Sequence, residues 1–103
     1  MEIDEYAAWA RGAGGLESSE QSSDAHLAIL GLSLVGDAGE VAEVLKQRLR
    51  DGVLDRDRLA HELGDVIYYW ARLCAVAGIA PSALLERSRS GRQARLAKGA
   101  ARS

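Results

Sequence analysis

The 103-residue sequence has no phenylalanine, a single cysteine, a single proline, a single methionine and only five aromatic residues. One cysteine, Cys74, excludes an internal disulfide and a cysteine-rich metal site, a usage that fits a reducing compartment. Its setting between Leu73 and Ala75-Val76 reads as core packing. With 48% hydrophobic residues and so few rings, the core must be built from Ala, Leu, Val and Ile, which favours packed helices over a sandwich of sheets. No stretch approaches the ~18 consecutive apolar residues of a membrane span, and the acidic opening MEIDEY lacks the basic region of a signal peptide. The expectation is a soluble, cytoplasmic protein with no membrane partner.

What is present is a chain of one-domain size, 1–103, with charge unevenly spread. Residues 1–85 carry 14 acids against 7 bases, and residues 86–103 carry 1 acid against 6 bases. A basic, partly flexible tail is expected over 91–103. The body is acidic, so no nucleic-acid partner is expected.

A short helix is read over 4–11, capped by Asp4 and stopped near Gly12. The stretch GAGGLESSEQSS, 12–23, has the composition of a loop. From Asp24, taken as the N-cap, a long helical pattern runs to about Arg50 and ends at Asp51-Gly52, where glycine supplies the left-handed residue. Gly31, Gly36 and Gly39 each cost that helix ~1 kcal/mol relative to Ala and imply close approach of another backbone, or room for a ligand. A second long helix starts near Asp55 and ends at Gly78; Pro81 opens a last helix running to about Ser90 and resuming after Gly91. The architecture is therefore all-α, a small helical bundle built on a long central antiparallel hairpin.

The segment VGDAGEVAEV places Asp37, Glu40 and Glu43 at intervals of three within a helix. At ~100° per residue, Leu34, Ala38, Val41 and Leu45 form the apolar stripe, bordered by Asp37 and Glu40, with Glu43 turned further toward solvent. In the second helix Leu59, Leu63, Val66 and Trp70 form the stripe, and Glu62 and Asp65 occupy the same border. In an antiparallel hairpin, residues at equal height have a constant sum of numbers. Asp37 with Asp65 and Glu40 with Glu62 share one sum, centred on the turn at Asp51, so the four acids lie at one level. Four gathered carboxylates repel one another and require a cation. An all-oxygen set suits Mg²⁺, or alternatively Mn²⁺, and Mg²⁺ completes its shell with substrate phosphates, which points to nucleotide chemistry.

At these residues, GDAGEVAEVLK followed by ELGDVIYYWARLCAVAGI resembles the MazG-like superfamily of all-α nucleoside triphosphate pyrophosphohydrolases, whose hallmark is ExxE, a spacer, then ExxD. The resemblance covers residues 24–80. It implies a Mg²⁺-dependent enzyme that hydrolyses a nucleoside triphosphate to the monophosphate and pyrophosphate, with Asp37, Glu40, Glu62 and Asp65 as metal ligands. It further implies that Glu43 orients water and that Tyr69 lies beside the nucleotide. A homodimer or homotetramer of helical bundles is implied as well. The family usually has Glu where this chain has Asp37, so the alternative is a catalytically weak relative acting as a helical binding or regulatory module.

Arg48 and Arg72 project on the carboxylate edges by the same helical count and are placed to contact phosphate oxygens. Tyr6 and Trp9 are expected to pack against the hairpin, and Trp70 to be structural. His26 and His61 stand outside the acid spacing and are left out of the site. A two-helix hairpin of this length cannot cover both its apolar faces, which also leads to self-association.

Overall fold

The computed structural model describes residues 1–14 and 23–102, so the loop expected over 12–23 lies largely outside the described residues. Among the described residues there are four helices: α1 (Ile3–Ala13), α2 (Asp24–Asp51), α3 (Arg56–Ala77) and α4 (Pro81–Arg102). Among the described residues there is no strand. The protein is all-α and is built on the α2–α3 antiparallel hairpin, with α1 packed against α3.

The helix ends follow from local chemistry. At the end of α2, Gly52 takes φ 77° and donates its N–H to the Arg48 carbonyl at 2.8 Å, a conformation that costs glycine no Cβ clash. Asp55 then caps α3, its Oδ1 accepting the Arg58 N–H at 3.0 Å. Gly78 (φ 72°) ends α3 in a Schellman turn: Gly78 N–H donates to Ala75 O and Ile79 N–H to Cys74 O.

Three ends differ from the sequence reading. The cap of α2 is Ser23, whose hydroxyl accepts the His26 N–H at 3.2 Å, and Asp24 is already helical. Asp4 does not cap its own helix. Its two carboxylate oxygens accept Ser82 N–H (3.0 Å) and Ser82 O–H (2.7 Å), closing the first turn of α4 from across the molecule. Ser82 therefore holds the Asp4 carboxyl below its ordinary value. Finally, α4 has no break at Gly91, where an interruption after Ser90 was expected, but runs continuously to Arg102, so the basic segment is helical over 91–102. One glycine is a weak break when strong helix formers surround it. The chain bends by 108° between α3 and α4, which turns α4 across the bundle.

Among the described residues the buried apolar set is small: Ala7, Ala10, Leu30, Val44, Ala71 and Cys74. Alanines on both sides let α1 and α3 approach closely, with Tyr6, Tyr68 and Trp70 packed around the contact. Trp9 sits over Tyr68 edge-on at 6.1 Å, packing as expected while half of its surface stays in solvent.

The buried stripe of α2 is rolled relative to the expected one. Ala38 and Leu45 face solvent, and Leu63 of α3 is half exposed. Leu30 and Val44, each 1% exposed, turn toward the hairpin interior instead. Burying these two side chains contributes about 2 kcal/mol each. Leu32, Val35, Leu45 and Leu49 are left on an uncovered apolar face of α2. Gly31, Gly36 and Gly39 have open space where a Cβ would be, so no other backbone among the described residues approaches them.

Candidate metal centre

Asp37 lies seven residues after Leu30 and seven before Val44, two turns from each. It therefore occupies the middle of the inward stripe, between two fully buried side chains, rather than its border. One of its oxygens, Oδ2, is buried and has no hydrogen-bond partner among the described residues. An unpaired buried carboxylate oxygen costs about 1–3 kcal/mol or more, which a cation or donor offsets.

Facing it from α3 are Glu62 and Asp65, one turn apart. One oxygen from each of Asp37, Glu62 and Asp65 can be chosen so that all three lie within 4.8 Å of one another. At that spacing each like-charge pair is unfavourable by about 1 kcal/mol in a water-like medium and about 3.5 kcal/mol at an effective dielectric of 20. These are oxygen donors on rigid helices, and the orphaned Asp37 oxygen gives an ion a ready partner. The set fits a hard divalent cation such as Mg²⁺ or Mn²⁺.

Glu40 is not in this group. Its Oε2 lies 3.5 Å from Arg58 Nη2, and Arg58 also donates through Nη1 to Gln47 Oε1 at 3.0 Å. The α2 roll that brings Asp37 inward leaves Glu40 on the exposed flank, within reach of Arg58. Glu43, one further turn along, is half-buried. Arg58 escaped the sequence reading because its role depends on how α2 is rolled. His61 was also left out, yet its Nε2 lies 3.4 Å from Asp65 Oδ2. The i, i+4 spacing of His61 and Asp65 was the available signal.

Tyr69 stands one turn beyond Asp65, half-buried, its ring edge-on to Tyr68 at 5.1 Å. Arg72, two turns beyond Asp65, is buried at 7% exposure. Its Nη2 donates to His26 Nε2 at 3.2 Å, and its guanidinium lies 5.9 Å from the Tyr68 ring centroid. Arg48 is far from both. It is exposed in the last turn of α2, about 16 Å along the helix from Asp37 in the direction away from Arg72. The structure thus separates the two arginines that the helical count put on the carboxylate edges of the two helices.

Beside the acids runs an open apolar groove of about 310 Å³, lined by Ile3, Leu34, Leu63, Val66, Ile67, Trp70 and Leu85. Leu63 and Val66 each follow a cluster carboxylate directly in sequence. By the helical count Tyr69 and Arg72 share the carboxylate edge of α3, and the groove residues Leu63, Val66, Ile67 and Trp70 lie on the adjoining side.

Comparison with known proteins adds one relationship. Over 93 residues the chain is 38% identical to the "Gene 37 protein" of Mycobacterium phage L5, an alignment that spans 85% of this chain and 77% of that protein. No protein-family profile matches the chain. No solved structure matches it.

Proposed function

For this chain, which belongs to the family of the Gene 37 protein of Mycobacterium phage L5, we propose the activity of a Mg²⁺-dependent nucleoside triphosphate pyrophosphohydrolase of the MazG-like kind. The substrate would be an NTP or dNTP and the products the nucleoside monophosphate and pyrophosphate. The observation that carries this reading is the Asp37 oxygen, buried and unpartnered, within a 4.8 Å cluster with Glu62 and Asp65. A carboxylate held inside a hairpin between Leu30 and Val44 weakens the fold, and a bound cation gives it a purpose.

Asp37, Glu62 and Asp65 would hold the ion, and Glu40 would join them by exchanging Arg58 for the metal. A divalent ion so held supplies charge compensation for phosphoryl oxygens and lowers the pKa of water. The chain's own residues supply the rest. Glu43, half-buried on the acidic flank, accepts a proton from the attacking water. Tyr69 borders the nucleotide, and Arg72 contacts the phosphate chain. Arg48, at the far end of the hairpin, has no part in a site of one protomer.

The uncovered face of α2, with Leu32, Val35, Leu45 and Leu49, supports a homodimer or homotetramer. Cytoplasmic residence belongs to the same proposal. Its supports are the lone buried thiol and the fact that, among the described residues, no single helix is long and apolar enough to cross a membrane.

The deciding experiment incubates the purified protein with canonical and modified triphosphates and Mg²⁺ and measures pyrophosphate. Release that EDTA abolishes supports the activity. A second reading, a helical binding or regulatory module, is favoured by the engagement of Glu40 with Arg58, which leaves three acids at the centre. Mg²⁺ uptake without pyrophosphate release from any triphosphate would select it.

A further inference from the structure

We infer that Arg72 is the centre of an anion-binding site, one for a phosphate-class anion, at the junction of α1, α2 and α3. A guanidinium taken out of water is costly unless a carboxylate pairs with it. Arg72 is 7% exposed, and among the described residues no carboxylate pairs with it. Its Nε is buried without a hydrogen-bond partner. Its contacts among the described residues are uncharged. A guanidinium donates and never accepts, so in the 3.2 Å contact His26 Nε2 is the acceptor and the imidazole proton sits on Nδ1. The other neighbours are the Tyr68 ring and the backbone at Gly14, where a Cβ would lie 2.8 Å from Arg72 Cζ.

The surroundings add to this positive character. His26 is in the first turn of the 28-residue helix α2, whose N-terminal end carries the positive pole of the backbone dipole. Asp24, in the same turn, is exposed and does not pair with Arg72. The result is a buried, always-charged donor fork with a free Nε–H, a neutral imidazole that an anion can displace from Nη2, and a helix end favouring negative charge. Phosphate oxygens match that fork in spacing and charge. On binding, one phosphoryl oxygen takes the place of His26 Nε2 on Nη2–H and a second accepts from Nε–H.

Arg72 lies about 10 Å along α3 from Asp65. A phosphate chain anchored at the carboxylate cluster runs toward it along the flank that carries Tyr69. That this anion is part of a substrate rests on the pyrophosphohydrolase reading; the existence of the anion site does not.

The test is NMR on the full-length, ¹⁵N-labelled protein in EDTA, following the Arg72 Nε–H and the His26 ring while inorganic phosphate is added at constant ionic strength. We expect saturable shifts of both. Arg72→Lys should weaken phosphate binding by about ten-fold or more, since Lys lacks the planar fork, while Asp37→Asn should leave it unchanged. Silence of Arg72 and His26 to phosphate in the wild type, which needs no variant to fold, overturns the site. A second arm adds Mg²⁺ and a non-hydrolysable triphosphate. Joint shifts at Arg72 and at the Asp37 and Asp65 amides identify the substrate's own chain as the source, whereas phosphate shifts with a triphosphate-silent Arg72 identify a free phosphate site. Saturable phosphate binding without pyrophosphate release sinks the enzyme and keeps this site; turnover with Arg72 silent to every phosphate does the reverse.

Discussion

Replacing Asp37 with leucine should stabilise the metal-free protein, and the structure sets the size of the effect. Asp37 takes part in two of the three like-charge pairs of the cluster, each within 4.8 Å. Removing it relieves about 2 kcal/mol at water-like screening and about 7 kcal/mol at an effective dielectric of 20. Glu62 and Asp65 are only half-buried, so the lower figure applies. A leucine between Leu30 and Val44 adds apolar burial of about 1 kcal/mol after allowance for imperfect packing. The expected gain is about 2–3 kcal/mol, or about 10 °C in melting temperature for a chain of this length. In Mg²⁺ at one hundred times its dissociation constant, the wild type recovers about 2.7 kcal/mol that the variant cannot. The advantage of Asp37→Leu should then fall to near zero. The assay is thermal melting followed by circular dichroism at one fixed protein concentration, with EDTA and with Mg²⁺. A variant less stable than wild type in EDTA, or equal gains from Mg²⁺ in both proteins, would refute the claim that Asp37 is held in reserve for a cation.

Four other outcomes follow from the same geometry. Glu62→Gln should reduce pyrophosphate release at least about a hundred-fold without loss of helix content; retained turnover would remove Glu62 from the site. Asp4 is tied to Ser82, which depresses its folded-state pKa, so its contribution is present above the unfolded carboxylate value and is lost as pH falls through the folded one. The stability gap between wild type and Asp4→Ala should accordingly be flat at neutral pH and narrow in acid, and a gap that widens in acid contradicts the tie. Burial pushes the Cys74 thiol up, so it should resist a disulfide reagent in the native protein and react on unfolding in denaturant. Leu45→Glu together with Leu49→Glu should shift sedimentation to the monomer with the melting curve of each subunit intact; an unchanged sedimentation coefficient rules out this face as the contact.

Much of the hairpin was legible because helix ends are local events. Gly52 and Gly78 take the left-handed conformation that ends a helix, and Asp55 caps the next one from its own side chain. Once the turn was located, the heights of Asp37, Glu62 and Asp65 followed from the rise per residue, and those three do meet. The misplaced caps show the limit of that locality. Ser23 and Asp24 are adjacent candidates of equal chemistry, and Asp4 is a good local cap whose carboxylate is engaged instead by Ser82, 78 residues away.

The residue pattern by itself determined the helices, their antiparallel pairing and the level at which the acids sit, because each depends on backbone geometry within a few residues. Only the tertiary structure decided the roll of each helix about its own axis. Periodicity gives the angles between side chains on one helix, but which angle faces inward depends on what packs there. With alanines drawing α1 against one side of α3, α2 meets the other side through Leu30, Asp37 and Val44. That roll put Asp37 inside, left Glu40 to Arg58, and exposed Leu45. The packing of α1, α2 and α3 together buried Arg72 against His26 and Tyr68.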